Sequence, residues 1–274
     1  LEANTTGASN VAVGKSALAA NTTAAENVAV GFEAMLSNTT GSNNTAIGRC
    51  TLRTNTTAVR NTAVGAQALR DNTDGTLNTG IGVCALMKNT TGAGSTAVGH
   101  QALLCNTTGN YNTAVGCVTL SANTTGIENV AVGLYSLNSN TTGSTNTAVG
   151  PVAGLYVTTG SNNLLLGYNS GRSSSPSGDI TTGSNNVVLG NNSITNLYCA
   201  DTSISSSDLR DKTDIEDFTH GLDFVTKLNP KTYRWDRRSW YVTGDESILD
   251  ITTDGSKKRN KKHIGFMAQE VLAL

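Results

Sequence analysis

The sequence predicts an all-β repeat fold, a parallel β-roll or solenoid, over residues 1–192. A unit of 17 residues recurs eleven times between residue 3 and about residue 192. Each unit places a short aliphatic segment before a glycine, which is typical of a short strand followed by a corner. Aromatic residues make up 5% and charged residues 14% of the chain. This composition alone is typical of disorder, but a strict repeat lets each unit bury its apolar side chains against its neighbours.

The unit follows the pattern N-T-T-G-x-x-N-[TV]-A-V-G-x-x-A-L-x-x. Its second glycine recurs every 17 residues from Gly14 to Gly167. The eleventh copy of this glycine, Gly190, follows a six-residue insertion within Arg172–Asp179. The insertion, RSSSPSGD, has the composition of a loop, so we expect it to bulge out of one coil.

Three apolar columns run through the repeats, and they predict the core. A large aliphatic residue precedes each corner glycine, and alanine precedes that residue in most units, as in Ala12–Val13 and Ala114–Val115. A second aliphatic column follows the glycine, from Leu18 to Leu137. Neighbouring residues of a strand point to opposite faces. We therefore expect the Val and Leu columns to form a thin core, and the Ala column to pack closely against another copy of the chain.

Asn-Thr-Thr steps form a second corner in each unit. Stacked corners predict ladders of asparagine amides between coils. A further asparagine column is expected to do the same: Asn10, Asn27, Asn44, Asn61, Asn78, Asn112, Asn129, Asn146, Asn163 and Asn186. Two other interpretations of these steps are N-glycosylation sites and an ice-binding face of threonines. The ladder interpretation is favoured over glycosylation because the even spacing follows from the repeat itself. It is favoured over ice binding because the threonines lie at Gly-flanked corners rather than on a flat face.

The chain totals exclude several functional classes. The formal net charge is −1, so neither nucleic acid nor an anionic membrane is expected as a partner. No apolar run is long enough to span a membrane. The five cysteines are scattered and fit small buried side chains, and the three histidines lack partners at ligand spacing. We therefore predict no metal and no cofactor.

The repeats resemble the head of trimeric autotransporter adhesins, the YadA-like head. The matching segments are NVAVG at 10–14, NTAIG at 44–48 and NTAVG at 112–116. The resemblance implies a left-handed parallel β-roll assembled from three chains, and hence a homotrimer. The adhesin unit is shorter than 17 residues, so each coil of this chain has extra residues.

The sequence changes character after Asn192. A connector over 193–206 leads to a segment, 207–274, that contains both tryptophans and most of the charge. We predict a small α+β domain there, with helices at 220–228 and 265–274 and a strand at 231–237. The run 257–263 is expected to be a solvated loop. Because the sequence starts at Leu1 and its last helix lacks a stop signal, we expect a fragment whose second domain is cut short.

This second segment resembles the C-terminal intramolecular chaperone of endosialidases and other phage tail fibres and spikes. The matching pieces, in order, are SDLRDK at 207–212, DI at 214–215, LNPKTYRW at 228–235 and IGFMAQEV at 264–271. The resemblance implies a domain that trimerises, assists folding of a β-rich fibre and then cuts itself off. It places the cleaved bond between Ser207 and Asp208, with Ser207 and Lys212 as the catalytic pair.

A Ser–Lys pair can perform this chemistry, because a neutral lysine can accept the proton of the serine hydroxyl. The lysine pKa must then fall from about 10.4 toward 7–8, which burial can cause. Burial at a trimer interface would make cleavage conditional on correct assembly. The alternative roles are a helix N-cap for Ser207–Asp208 and a solvated surface lysine for Lys212.

Together these features predict a trimeric tail fibre or tail spike of a phage. Its expected partners are other tail or baseplate proteins and a host cell-surface receptor, expected to be a glycan. Its expected location is the virion, after synthesis in the host cytoplasm. Any enzyme activity is a single self-cleavage rather than action on an external substrate, since no paired carboxylates stand out on the repeats. The alternatives are a bacterial trimeric surface adhesin and, less favoured, an ice-binding β-solenoid.

Overall fold

The computed structural model describes residues 1–196, 231–233 and 263–265. The first of these ranges contains eleven strands of three residues each. They are β1 Val11–Val13, β2 Val28–Val30, β3 Thr45–Ile47, β4 Thr62–Val64, β5 Thr79–Ile81, β6 Thr96–Val98, β7 Thr113–Val115, β8 Val130–Val132, β9 Thr147–Val149, β10 Leu164–Leu166 and β11 Val187–Leu189. No helix occurs in this range.

The eleven strands form one parallel sheet in sequence order, β1 to β11. Each strand pairs in register with the strand one unit away, for example Val98 with Val115. The pairing steps over the insertion without losing register, since Leu164 pairs with Val187. The predicted parallel β-solenoid of 17-residue coils is therefore confirmed.

The middle residue of each strand points into the coil, which corrects the predicted core. Ala29, Ala114 and Ala148 are fully buried, whereas Val13 is 57% exposed and Ile47 is 42% exposed. The Val column was predicted to lie inside and the Ala column outside, and this assignment is wrong. The Leu column was placed correctly, because Leu18 to Leu137 are fully buried.

The narrow interior of the coil explains the correction. A Cβ added at Gly80, the one glycine in the Ala column, would lie 3.4 Å from Leu69 Cγ, so the space holds a methyl group and little more. In the last coils the Ala column and the Leu column exchange their side-chain sizes. Leu165 takes the place of alanine where Gly154 takes the place of leucine, and a Cβ at Gly154 would lie 2.6 Å from Leu165 Cδ1. The two columns thus share one fixed volume.

The corner glycines adopt a backbone conformation that other residues rarely adopt. Gly14 has φ 127°, and the same position has φ 134° at Gly48. A Cβ at Gly14 would lie 2.6 Å from the carbonyl oxygen of Gly31 in the next coil. Glycine is therefore required both by the positive φ and by the close stacking of successive coils.

Two asparagine ladders run along the interior, as predicted. In the first, each amide donates to the preceding coil and to its own corner; Asn106 Nδ2 donates to Asn89 Oδ1 (2.8 Å) and to Gly109 O (2.9 Å). In the second, a backbone N–H donates to the side chain of the preceding coil, as from Asn61 N to Asn44 Oδ1 (2.9 Å). These side chains are fully or almost fully buried, so the ladders satisfy polar groups that would otherwise be costly to bury.

The first ladder ends where the repeat changes. Val157 and then Ile180 occupy the asparagine position in the last coils, and both are buried. Within the described residues, the buried Asn140 Oδ1 accepts no hydrogen bond. The reason is that Val157, its neighbour in the next coil, has no amide to donate.

The insertion folds against the end of the roll. Ile180 N donates to Gly171 O (3.0 Å) across its base, and Asn192 N donates to Ser174 O (2.7 Å) after the last strand. The guanidinium of Arg172 stacks on the Tyr156 ring at 4.9 Å from the ring centre. The predicted loop is confirmed, and it covers backbone groups where the stack of coils stops.

In the C-terminal unit the structure describes two short strands, β12 Lys231–Tyr233 and β13 His263–Gly265, which pair antiparallel. The strand predicted from residue 231 is confirmed over its first three residues. β13 was not predicted, and it replaces the end of the expected loop 257–263 and the start of the expected helix 265–274. The rest of that helix, and the helix expected at 220–228, lie outside the described residues.

Candidate functional site

The outward side of β1–β11 is the most extensive unexplained surface of the roll, and we call it the sheet face. It is formed by the first and third residues of each strand. The third residues are all aliphatic: Val13, Val30, Ile47, Val64, Ile81, Val98, Val115, Val132, Val149, Leu166 and Leu189. Val13, Val115 and Leu189 are 57%, 38% and 44% exposed.

The sheet face is continuous from one end of the roll to the other, because the strands pair in register without interruption. At about 4.8 Å per strand it extends over roughly 50 Å. Its third-residue column is aliphatic throughout, with exposed and half-buried members in alternation, and most first strand residues beside it are threonine. A continuous aliphatic row on a surface is a candidate interaction site. Sequence reasoning missed this face because the aliphatic column was expected inside. The sequence signal that could have revealed it is the change of size in two columns at once, with Leu165 in place of alanine and Gly154 in place of leucine. Such a paired change indicates that the Ala and Leu columns share the interior.

The Asn-Thr-Thr steps form a polar corner of each coil. The first threonine hydroxyl donates to the backbone of the next coil, as from Thr107 Oγ1 to Thr124 O (3.0 Å), and the second threonine, such as Thr108, is exposed. The asparagines of these steps are buried and their amides are bonded, as at Asn106. A glycosylating enzyme could not reach them in the folded roll. The threonine pairs lie at bends, outside the strands.

Charged side chains on the roll are few and partly paired. Arg53 Nε lies 2.7 Å from Glu33 Oε2, and Arg70 Nε lies 2.7 Å from Asp71 Oδ1. The hydrogen bond to Glu33, and then its charge, raise the pKa of Arg53; the hydrogen bond to Asp71 raises the pKa of Arg70. Both guanidinium groups therefore stay charged, and neither can act as a proton acceptor.

Cysteine placement differs in part from the expectation of small buried side chains. Cys50 is buried, Cys84 and Cys105 are half-buried, and Cys117 is exposed, with its Sγ 3.9 Å from His100 Nδ1. These four thiols are free. Within the described residues, no three His, Cys, Asp or Glu side chains are grouped so that they could hold a metal ion. The same part of the chain contains no helix suited to crossing a membrane.

The sequence-predicted catalytic residues, Ser207 and Lys212, and the bond between Ser207 and Asp208 lie outside the described residues. Their roles therefore stay predictions.

Comparison with protein families supports the second domain. Residues 207–274 match the family model Peptidase_S74, chaperone of endosialidase. Comparisons with curated proteins and with solved structures found no match.

In this chain a parallel β-solenoid is thus followed by a segment that matches the endosialidase-chaperone family model. Intramolecular chaperone domains of this type are consistent with trimer formation.

Proposed function

We propose that this chain is a trimeric tail fibre of a phage, whose roll contacts the host surface and whose C-terminal domain drives trimer assembly. The observation that supports this most directly is the pairing of a roll with an exposed aliphatic sheet face and a chaperone-type segment in one chain. A thin coil whose strands turn mostly alanine inward buries little apolar surface alone. Association of three sheet faces would supply the missing burial.

In the proposed fibre the three rolls lie side by side along their length, with the sheet faces turned toward each other. The polar corners and threonine rows then face outward. Low net charge suits such an assembly, because long parallel faces of high charge would repel each other. Other tail or baseplate proteins would hold one end of the fibre, and a host-surface glycan is the proposed receptor.

The chaperone segment is proposed to cut the chain once, between Ser207 and Asp208, after the trimer has formed. Ser207 supplies the hydroxyl nucleophile and Lys212 the base that takes its proton. The serine oxygen bonds to the carbonyl carbon of the Ser207–Asp208 peptide, the C–N bond breaks, and Lys212 passes the proton to the departing amine of Asp208. Water then hydrolyses the ester, which restores the hydroxyl and leaves a carboxylate on residue 207 and a new amino group on residue 208. Lys212 becomes neutral only when desolvated, so the cut would report completed assembly.

Cleavage and assembly can be tested on the same protein. The chain is expressed with its C-terminal segment, and mass is measured by light scattering after gel filtration, alongside a denaturing gel. We expect a trimer, with bands for residues 1–207 and 208–274. Ser207→Ala and Lys212→Ala should each give one uncut band.

Matched controls are available in the same segment. Ser206→Ala removes the neighbouring hydroxyl and Lys227→Ala removes another lysine, and both should leave cleavage intact. Cutting that persists in Ser207→Ala and Lys212→Ala would exclude the catalytic pair. A monomer at micromolar concentration would exclude the trimeric fibre.

A further inference from the structure

Two rows of mostly exposed residues border the sheet face. The leading row consists of the residues two positions before each strand, such as Arg60 and Leu77, and the trailing row of the residues two positions after each strand, such as Val83 and Tyr168. The sheet face repeats the same residue types from coil to coil, whereas both rows vary along the roll. The rows therefore distinguish one coil from the next, and the face does not.

The sheet face alone cannot fix how far each subunit of the proposed trimer is shifted along the roll. A slide of one coil, about 4.8 Å, places the same residue types opposite each other again. A ring of three identical subunits closes only when this shift is zero, and each subunit then meets its neighbour through two different surfaces. With the sheet faces turned inward, the leading row of one subunit lies beside the trailing row of the next. These two rows are therefore where the shift can be set.

The leading row borders a groove at the C-terminal end of the roll, centred on the coil of β10, with a volume of about 210 Å³. Its strand side contains Leu164 and Val187, at positions where most preceding strands begin with threonine. Asn162 and Asn185 form the other side, and both backbones lie in the left-handed region, with φ 56° and 63°. Their N–H groups donate to carbonyl oxygens of the preceding coil, each at 3.0 Å. The groove is therefore built by the repeat.

The trailing row presents a tyrosine at the same level of the roll. Tyr168 follows β10 by two residues and is 58% exposed. Its hydroxyl forms no hydrogen bond with any residue that the structure describes. In a ring without axial shift, the partner subunit's Tyr168 is level with Leu164, at the centre of the groove. The adjacent members of the trailing row are Pro151 and Asn191, which are smaller and would leave the groove partly empty.

We infer that each Tyr168 inserts into the groove of the neighbouring subunit and thereby holds the three rolls without axial shift. The inference rests on the proposed trimer. The tyrosine ring packs against Leu164 and Val187, which buries apolar surface of both subunits. A volume of 210 Å³ is below the roughly 300–1,000 Å³ of pockets for separate small molecules, and it suits one aromatic side chain.

The groove also offers hydrogen bonds to the phenol hydroxyl. Asn162 Nδ2 donates to Asn185 Oδ1 (2.8 Å), which orients both amides. Within the described part of the chain, Asn162 Oδ1 and Asn185 Nδ2 form no further hydrogen bond. One acceptor and one donor are therefore available to a hydroxyl that can both donate and accept.

Disulfides between subunits test this contact. Asn162→Cys with Tyr168→Cys places one thiol on each side of it, and Cys50 shows that cysteine adopts a φ of 56° in this roll. The two thiols of one chain cannot pair, because the extended strand β10 keeps their Cα atoms roughly 10 Å or more apart, beyond the limit of about 7 Å. Oxidation of the full chain should therefore give a covalent trimer on a non-reducing denaturing gel.

Two controls accompany the test pair. Tyr168→Cys alone gives the background from the native cysteines, and Glu128→Cys with Tyr168→Cys places the first thiol in the same row, with φ 57°, but two coils away. The test pair should give at least about tenfold more covalent trimer than either control, because a disulfide forms only at short range. Equal yields overturn the contact. A trimer by light scattering in which the test pair gives no covalent trimer also overturns it, and leaves the proposed fibre standing. A monomeric wild-type chain overturns both.

A second measurement does not depend on introduced cysteines. Tyr168→Ala should raise the concentration at which half of the trimer dissociates by at least about tenfold, since it removes a buried aromatic anchor. Tyr135→Ala removes a tyrosine that is 41% exposed and belongs to neither row, and it should leave this concentration unchanged. Equal dissociation of the two variants overturns the contact.

Discussion

The middle and outer residues of the same three-residue strands have opposite environments. In β7, Ala114 is fully buried inside the coil, whereas Val115 is 38% exposed on the sheet face. Val is the more hydrophobic residue and yet lies outside. The difference shows that the position of a residue in this roll is decided by available volume, because the interior holds a methyl group at this point and the surface holds a larger side chain.

The third residues of the strands, which form the outer column, have a different role from the middle residues. A branched aliphatic residue at all eleven third positions contributes little to a coil whose interior it does not reach. It contributes to a surface that buries against another surface. The middle column therefore determines the fold of one chain, and the outer columns are expected to determine its assembly.

The largest expected effect comes from placing charge on the sheet face. Val98→Glu with Val115→Glu should convert the proposed trimer to monomer, because two carboxylates per chain would be buried without cations. The roll of a single chain should still fold, since both side chains point outward. Light scattering measures the mass, and the far-ultraviolet circular dichroism spectrum reports the strands.

The control for this prediction is Thr108→Glu with Thr125→Glu, which adds the same charge in the exposed threonine row. It should leave the mass unchanged. An unchanged mass in the Val98→Glu and Val115→Glu chain would show that the sheet face is not the interface.

The interior should respond to size rather than to polarity. Ala114→Leu is expected to cost about 1–3 kcal/mol of unfolding free energy from overpacking, measured by urea denaturation. Val115→Leu, one residue along the strand and outside the coil interior, should change the unfolding free energy of a single roll by less than about 0.5 kcal/mol. Adding Leu103→Gly to Ala114→Leu should recover part of the loss, because it reproduces the Gly154 and Leu165 exchange found in the last coils. A double variant less stable than Ala114→Leu alone would contradict the shared-volume argument.

The asparagine ladder provides a smaller effect that depends on position. Asn106→Val removes two donated bonds and the acceptor of Asn123 Nδ2, and leaves Asn89 Oδ1 buried without a donor. We expect a cost of about 1–3 kcal/mol. Asn140→Val removes two donated bonds but also an oxygen that already lacks a partner, so its cost should be lower by about 1 kcal/mol. Equal midpoints in urea for the two variants would argue against a ladder in which each amide serves two coils.

The sequence was sufficient for the parallel solenoid, the coil length, the insertion and both ladders, because each follows from strict repetition at a fixed interval. The prediction placed the Val and Ala columns on the wrong faces. Strand alternation shows that the two columns lie on opposite faces of the sheet, but it does not show which face is inside the coil. Gly154 and Leu165 contained the answer, because a size exchange between two columns requires that they share an interior. For Ser207 and Lys212 the local pattern predicts the chemistry. The burial that would lower the lysine pKa is proposed to come from neighbouring subunits, and no spacing within one chain encodes such contacts.

The smallest expected effect is at Gly80, where the interior of the coil lacks the side chain that the other strands place there. Gly80 stands in the alanine column, and an added Cβ would lie 3.3 Å from Ala85 O and 3.4 Å from Leu69 Cγ. Every other strand has a larger residue at this point, so the coil can accept a methyl group with a shift of a few tenths of an ångström. Gly80→Ala should therefore stabilise the roll by roughly 0.4–1 kcal/mol, through reduced freedom of the unfolded chain and a filled space. Gly82→Ala, two residues further on at the corner, should destabilise it instead, because φ there is 132° and the Cβ would collide with the backbone of Gly99. Melting temperatures that move in the same direction for the two variants would contradict the comparison of middle and outer strand residues. They would show that the volume inside the coil does not decide which residue fits the middle position.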